Sequence, residues 1–208
     1  MAQNLRKIAI LTGELIPPSD GPSVNIARAF AALKDMAETQ SAWTGAPLHF
    51  TRQRGDGWQV ALERPEFALR ASLAFRATLR ATGDFDSYIG IAEGQVSGDI
   101  GPDLNLETSE AFVGSGTALD YAKGTPNKRF AYNAKVEMEA LTTLVDHISA
   151  GWSEAQAAAA LPFLSPFSLP NYTAVAKSLG KSRQAVTKAV EAAHLAPLSY
   201  ALLCVEEA

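Results

Sequence analysis

The sequence predicts an α+β fold in which helices pack on a mostly antiparallel sheet, followed by a smaller all-helical domain. Strand-like and helical segments alternate through the first 150 residues as strand, helix, strand, strand, helix, strand, helix, strand. That order is typical of an α+β domain. The composition then shifts after Gly151 to an alanine-rich helical stretch. We therefore expect two domains, covering residues 1–150 and 151–208.

Length and composition indicate a globular protein. The chain has 208 residues, of which 47% are hydrophobic and 19% charged, values close to globular averages. No apolar run approaches the roughly 18 residues that suggest a membrane span. The N-terminal segment has no small-residue cleavage site, which argues against a secretory signal. The single cysteine, Cys204, excludes an intrachain disulfide and is expected to be packed. The sequence thus predicts a cytoplasmic protein without membrane contact.

The first 62 residues predict a strand, a helix and a hairpin. A short apolar strand covers residues 7–11, and Ser23 is a plausible N-cap for a helix over about 24–40. Alternating residues predict strands at 47–52 and 58–62. The intervening Gly55-Asp56-Gly57 contains Asp-Gly, a strong hairpin signal because both residues tolerate positive φ. Asp56 therefore has a plain interpretation as a turn residue.

The next 90 residues predict three helices and two strands. Pro65 opens a helix to about residue 81, on which Arg70, Arg76 and Arg80 are expected to form a solvated face. A strand at 87–96 and a polar loop follow. The next helix covers 109–123 and is expected to break at Gly114 and Gly116. A short strand at 129–133 precedes the last helix, over 136–148. The predicted apolar side of that helix carries Met138, Leu141, Leu144, Val145 and Ile148.

Residues 172–190 resemble a helix-turn-helix. Ala176 is small where two helices cross, Gly180 lies where the turn needs a left-handed conformation, and Val186 packs the second helix on the first. Ser182 is a good N-cap for that second helix. Residues 195–205 are expected to complete the unit as a hairpin or a last helix, which gives a winged or a plain helix-turn-helix. The plain interpretation is an ordinary helical hairpin without a ligand.

Basic residues favour DNA binding by this unit. The net charge of −4 argues only against a protein that coats nucleic acid non-specifically. No acidic residue separates Lys177 from Lys188. The early part of the second helix carries side chains suited to phosphates and base edges. The predicted DNA-contacting residues are Lys181, Ser182, Arg183, Gln184, Thr187 and Lys188. Lys181 departs from the usual pattern, in which an apolar residue follows the glycine.

Three blocks in the N-terminal domain resemble a known family. "LTGELI", "RGDGWQVAL" and "YIGIAEGQV" are similar to successive blocks of class III nucleotidyl cyclases, and in particular to the bacterial SatD family. That family joins a cyclase-like domain to a C-terminal helix-turn-helix. The resemblance implies a ferredoxin-like, cyclase-like palm domain in this chain.

The resemblance also implies site residues. Glu14 and Asp56 fall on the two acidic positions that hold divalent ions, so Mg²⁺ or Mn²⁺ is the implied cofactor. Loop 17–21 and five glycines would lie near the nucleotide: Gly13, Gly90, Gly94, Gly114 and Gly116. The first acidic residue is normally Asp, and Glu14 is one methylene longer. Thr117 and Tyr121 stand where the family has Asn and Arg, and no cation replaces the arginine. Full cyclase activity is therefore not expected.

Taken together, the sequence predicts a homodimeric DNA-binding transcriptional regulator with a degenerate cyclase-like domain that senses a nucleotide or mediates dimerisation. One alternative is a metal-dependent enzyme acting on nucleoside triphosphates. Another is a protein-interaction module in which both domains are structural. Glu14 itself has a plain interpretation as a solvent-facing residue after an apolar strand. His49, His147 and His194 show no ligand spacing.

Overall fold

The computed structural model describes residues 5–16, 26–83 and 85–207, so the predicted N-cap Ser23 and loop 17–21 lie outside the described residues. The strands are β1 (Leu5–Ile16), β2 (Leu48–Arg52), β3 (Gly57–Leu62), β4 (Asp86–Ser97) and β5 (Phe130–Asn133). The α-helices are α1 (Ile26–Thr44), α2 (Ala68–Gly83), α3 (Glu110–Gly124), α4 (Val136–Ala150), α5 (Glu154–Ala160), α6 (Tyr172–Ser178), α7 (Arg183–Ala192) and α8 (Leu195–Glu206). Short 3₁₀ helices lie at Pro65–Phe67, Leu104–Leu106 and Leu161–Leu164.

The strands form one mixed sheet in the order β2-β3-β1-β4-β5. Every neighbouring pair is antiparallel except β4 and β5, which are parallel. The first six elements follow the β-α-β-β-α-β order of the ferredoxin-like motif. The predicted α+β class with a mostly antiparallel sheet is therefore confirmed. Strand β1 extends beyond its predicted end because residues 12–16 continue to pair with β4.

The sheet is covered on both faces, which explains the continuous apolar run of β1. Ala9 and Leu11 join the larger buried cluster with residues of α1, α2 and α4. Ile8 and Ile10 point to the opposite face and pack with Phe112 of α3. The sequence of a central strand that is buried on both sides is a continuous apolar run rather than an alternation of apolar and polar residues.

Helix α3 is continuous, so the predicted break at Gly114 and Gly116 is wrong. Both glycines lie within Glu110–Gly124. Glycines at the contact between α3 and β4 let the helix lie directly on the sheet. A Cβ added to Gly90 of β4 would fall 2.1 Å from the Ser115 carbonyl oxygen. A Cβ added to Gly94 would fall 3.0 Å from the Ala111 Cβ atom. Close packing between helix and strand therefore accounts for these two β4 glycines.

Helix α2 is the buried centre of the molecule, so the predicted solvated arginine face is wrong. Every residue from 68 to 79 is buried. Arg70 pairs with Glu206 of α8, Arg76 is fully buried, and Arg80 pairs with Asp86 of β4. The prediction failed because a buried guanidinium needs carboxylate partners, and these come from β4, α4 and α8 rather than from α2 itself. Leu144, predicted on the apolar side of α4, is in turn exposed.

Helix α5 packs directly on α2, and α7 packs on α5. Buried side chains of α2, α5, α7 and α8 belong to one hydrophobic cluster. Trp152 Nε1 donates to the Ala193 carbonyl oxygen at 2.9 Å, which links the start of α5 to the end of α7. Residues 195–206 form the last helix rather than a hairpin. Cys204 is exposed, so its predicted packing is wrong. The division at residue 150 stays a prediction.

In the described part of the chain, no helix combines the length and apolar character that crossing a membrane requires.

Candidate functional site

The turn between α6 and α7 adopts the predicted geometry. Gly180 has φ +62°, and its N–H donates to the Lys177 carbonyl oxygen at 3.3 Å. The Lys181 N–H donates to the Ala176 carbonyl oxygen at 2.9 Å. These two hydrogen bonds form a Schellman motif, with the glycine in the left-handed conformation that it requires. The predicted role of Gly180 is therefore confirmed.

Helix α7 begins where the sequence predicts. The Ser182 Oγ atom accepts a hydrogen bond from the Ala185 N–H at 3.1 Å, which caps the helix. Val186 and Val190 are buried and pack into the cluster that contains Val175 of α6. These contacts fix which side of α7 faces the molecule and which side faces solvent.

The outer side of α7 is polar and largely cationic. Lys181, Ser182, Arg183, Gln184 and Lys188 are all exposed. Thr187 is half-buried, and its hydroxyl donates to the Arg183 carbonyl oxygen at 3.0 Å. We define the α7 surface as residues 181–184, 187 and 188. Glu191 borders it in the same surface depression as Arg183 and Lys188. The structure thus brings Arg183, Gln184, Thr187 and Lys188 together on one surface, whereas Lys181 lines a separate depression between α5 and α7. DNA contact by these residues stays a prediction.

A second group of charges lies at the end of β1. Glu14 pairs with Gly57 of β3 in the sheet register, which brings the end of β1 beside the β2–β3 hairpin. The Leu15 N–H donates to the Asp56 carbonyl oxygen at 3.0 Å. The hairpin is confirmed, but the left-handed residue is Gly55, with φ +74°. Asp56 is exposed.

Lys123 of α3 lies at this group. Its Nζ atom donates to Glu14 Oε2 at 2.5 Å. The hydrogen bond to Glu14 is the largest cause that raises the pKa of Lys123. Desolvation, the second-largest effect, lowers the pKa, and the charges of Glu14, Asp120 and Asp56 raise it, so that the net pKa lies above its ordinary value. Glu14 therefore pairs directly with Lys123, and the charges of Asp120 and Asp56 also act on this ammonium group. We call these four residues the Lys123 cluster.

Sequence reasoning missed Lys123 and Asp120. The two residues lie one helical turn apart at the end of α3, a common arrangement on a helix surface. Nothing local indicates that Lys123 pairs with a residue 109 positions away. Gly90 and Gly94 of β4 and Gly114 of α3 were the available signal, since they mark the close approach of this helix to β4.

The implied Mg²⁺ or Mn²⁺ does not fit the Lys123 cluster as the side chains stand. Two carboxylates together with substrate phosphates can hold Mg²⁺. Here, however, the carboxylate of Glu14 is already paired with an ammonium group. Among the residues that the structure describes, no three or more His, Cys, Asp or Glu side chains are grouped to hold a metal ion. Metal binding by Glu14 and Asp56 stays a prediction.

The predicted nucleotide-binding glycines do not form a loop. Gly13 lies in β1, where an added Cβ would fall 2.1 Å from the Trp58 ring. Gly114 lies in α3 against Ala92 and Asn133, and Gly116 follows in the same helix. Packing thus requires a small residue at most of these positions. A role in nucleotide binding stays a prediction.

Comparisons with known proteins give one structural similarity. No family model matches the sequence, and no curated protein matches it. Among solved structures, the chain is similar to a bacterial light-regulated adenylyl cyclase, with 18% sequence identity and a TM-score of 0.45. The similarity covers 72% of this chain and 82% of that chain. Membership of the SatD family stays a prediction.

Proposed function

We propose that the protein is a DNA-binding transcriptional regulator that contacts DNA through the α7 surface. The observation that carries the proposal is that α7 has an apolar buried side and a cationic exposed side. Val186 and Val190 are buried, while Arg183, Gln184 and Lys188 are exposed. Cationic side chains bind phosphates, and Arg, Gln and Lys also bind base edges in the major groove. A capped helix that follows a tight turn is the usual means of presenting them.

The N-terminal domain has a direct structural connection to α7, which supports a sensing role for that domain. Arg80 of α2 donates from Nη1 to the Trp152 carbonyl oxygen at 3.0 Å. Trp152 in turn donates to the Ala193 carbonyl oxygen directly after α7. A nucleotide ligand that shifts α2 would therefore act on the position of α7. The sequence resemblance to cyclases supports a nucleotide as that ligand.

We further propose that the regulator acts as a homodimer through α8. Residues 195–205 carry no charged side chain. Leu195, Leu198 and Leu202 are buried, while Tyr200 and Leu203 on the outer side are 71% and 43% exposed. A helix that is apolar on all sides normally lies inside a protein or an interface. A second copy suits this face, because a two-fold interface places each patch opposite itself and here brings no like charges together.

The exposed face of α8 is too small for a stable dimer, so the proposed interface also includes the connector before α6. A stable interface buries about 800 Å² on each partner, which Tyr200 and Leu203 do not supply alone. Phe167 and Leu169 are exposed in that connector. Phe167 contacts Phe67 with ring centroids 5.6 Å apart, and the 3₁₀ helix that holds Phe67 contacts α8. Two copies would present two α7 helices to paired half-sites.

The alternative function, a metal-dependent enzyme acting on nucleoside triphosphates, is supported by the sheet register, which places Glu14 opposite Gly57 and so beside Asp56. That function requires the Glu14 carboxylate to break its ion pair with Lys123. It predicts turnover of a triphosphate with Mg²⁺ or Mn²⁺ that Glu14→Ala and Asp56→Ala abolish. Absence of any product with the purified protein would remove it.

DNA binding is tested by fluorescence anisotropy with labelled genomic fragments at low salt. We expect the wild-type protein to bind, and the double variant Arg183→Ala/Lys188→Ala to bind at least about tenfold more weakly, since each lost contact costs about 1–3 kcal/mol. The matched control is Lys34→Ala/Lys135→Ala, which removes two exposed cations outside α7. Equal loss in both double variants would show non-specific attraction, and no binding by the wild-type protein would favour the interaction-module alternative.

A further inference from the structure

A groove lies between α5 and α7, next to the end of α2. It encloses about 730 Å³, which is within the roughly 300–1,000 Å³ of small-molecule sites. Its walls consist mainly of alanines from these three helices, together with Leu179 and Val186. Ala155 and Ala185 are exposed there, and covering apolar side chains of this kind is favourable. The groove is therefore suited to a ligand with an apolar body.

Three polar residues also line the groove, namely Ser153, Glu154 and Lys181. The Ser153 Oγ atom accepts a hydrogen bond from the Gln156 N–H at 3.3 Å, so Ser153 is used as the cap of α5. Glu154 and Lys181 are exposed. Within the described part of the chain, neither of these two side chains forms an ion pair. The groove thus presents one cation and one anion that have no counter-ion in the protein.

The two charges lie toward opposite ends of the groove. Lys181 directly precedes the Ser182 cap of α7, whereas Glu154 is the first residue of α5 and follows Trp152 by two positions. Trp152 Nε1 donates to the Ala193 carbonyl oxygen just after α7, so the start of α5 lies beside the end of α7. A ligand with one anionic group is therefore attracted to the Lys181 end of the groove and repelled from the Glu154 end.

We propose that this groove binds a small carboxylate with an apolar body. The carboxylate pairs with the Lys181 ammonium group, and the apolar body lies along the alanines of α5 and α7. An apolar lining with a few polar groups that fix the orientation of the ligand is typical of small-molecule sites. The proposal does not rest on DNA binding by α7, because Arg183 and Lys188 lie in a separate depression.

The test compares three probes that share one apolar chain, namely octanoate, octylamine and octanol, by isothermal titration calorimetry with the full chain. We expect the wild-type protein to bind octanoate most tightly. Lys181→Met should weaken octanoate binding by about two- to fivefold, the range for an exposed ion pair, and should leave octanol binding unchanged. The matched control is Lys177→Met, which removes an exposed lysine of α6 outside the groove and should bind octanoate as the wild-type protein does.

A second pair of variants tests where the apolar body lies. Ala158→Phe fills the groove with a large side chain and should abolish binding of octanoate and octanol. Ala192→Phe changes an exposed alanine of α7 that does not line the groove and should bind both probes normally. Circular dichroism verifies that each variant is folded, and Lys181→Met tests the proposal by itself if Ala158→Phe fails to fold, because Lys181 is exposed.

Three results would overturn the proposal. The first is a wild-type protein that binds no octanoate, or that binds octylamine or octanol equally well. The second is octanoate binding by Lys181→Met that is as tight as that of the wild-type protein. The third is unchanged binding by a folded Ala158→Phe variant, because octanoate would then bind outside the groove. None of these results bears on DNA binding, which is measured separately.

Discussion

Arg76 and Asp86 form an ion pair inside the protein, with Arg76 Nε donating to Asp86 Oδ1 at 3.0 Å. The Arg76 side chain has no solvent exposure. Its guanidinium group also lies over the Phe130 ring, 3.8 Å from the centroid, and pairs with Asp146 of α4 at 2.8 Å. This arginine therefore ties α2 to β4, β5 and α4. Arg80 adds a second charged connection between α2 and Asp86 of β4.

Loss of the Arg76 side-chain charge should destabilise the whole fold. Arg76→Met leaves Asp86 and Asp146 buried with fewer cationic partners, and breaking a buried pair in this way costs about 3–5 kcal/mol. Urea unfolding followed by circular dichroism measures the free energy of unfolding. The control Arg54→Met changes an exposed hairpin arginine and should stay within about 0.5 kcal/mol of the wild-type protein. Similar values for the two variants would contradict the role of Arg76.

The same ion pair predicts a loss of stability in acid. Burial raises the pKa of Asp86, but the charges of Arg76 and Arg80 and hydrogen bonds from Ser87 and Arg80 outweigh it, so the net pKa lies below its ordinary value. A carboxylate with a lowered folded-state pKa stabilises the protein above its unfolded-state pKa, and this contribution is lost as the pH falls through the folded-state pKa. The affected window therefore lies below about pH 4.

Asp86→Asn provides the comparison for this pH dependence. The free energy of unfolding of the wild-type protein should fall more steeply than that of Asp86→Asn as the pH decreases from about 5 to about 2. Chemical denaturation at each pH measures both curves. Parallel curves would show that Asp86 carries no lowered pKa.

Two glycines, Gly90 at the contact between β4 and α3 and Gly116 on an open side of α3, should respond oppositely to alanine. Gly90→Ala places a Cβ 2.1 Å from the Ser115 carbonyl oxygen, and such overpacking costs about 1–3 kcal/mol. Gly116→Ala meets nothing within 4 Å, so the better helix propensity of alanine should stabilise the protein by about 1 kcal/mol. Thermal unfolding distinguishes the two directions. A lower melting temperature for Gly116→Ala, or an unchanged one for Gly90→Ala, would contradict this packing.

Charged substitutions on α8 should disrupt the proposed dimer. Tyr200→Lys/Leu203→Lys puts two positive charges on a face that opposes its own copy. The mass from light scattering during size-exclusion chromatography should change from that of a dimer to that of a monomer. Val113→Lys/Val136→Lys changes two exposed apolar residues elsewhere and should remain dimeric. A wild-type protein that is monomeric without DNA would remove the α8 interface while leaving DNA binding by α7 open.

The sequence predicted those features that depend on local chemistry. The hairpin at Gly55–Gly57, the left-handed Gly180 and the Ser182 cap each follow from the conformational preferences of a few adjacent residues. Arg76 and Lys123 could not be placed in this way, because their partners come from other elements. The same reason explains why α3 was predicted to break. Its glycines reduce helix propensity locally, and only the contact of Gly114 with Ala92 of β4 shows why that glycine is there.

The most direct test of DNA recognition by α7 is the salt dependence of binding. The logarithm of the association constant is plotted against the logarithm of the salt concentration, for wild-type protein and Lys188→Ala, between about 50 and 200 mM. We expect a linear decrease for the wild-type protein, and a slope smaller by about 1 for Lys188→Ala, since one phosphate contact is lost. An identical slope and affinity in the variant would contradict DNA contact by α7, as would the absence of measurable binding at 50 mM salt.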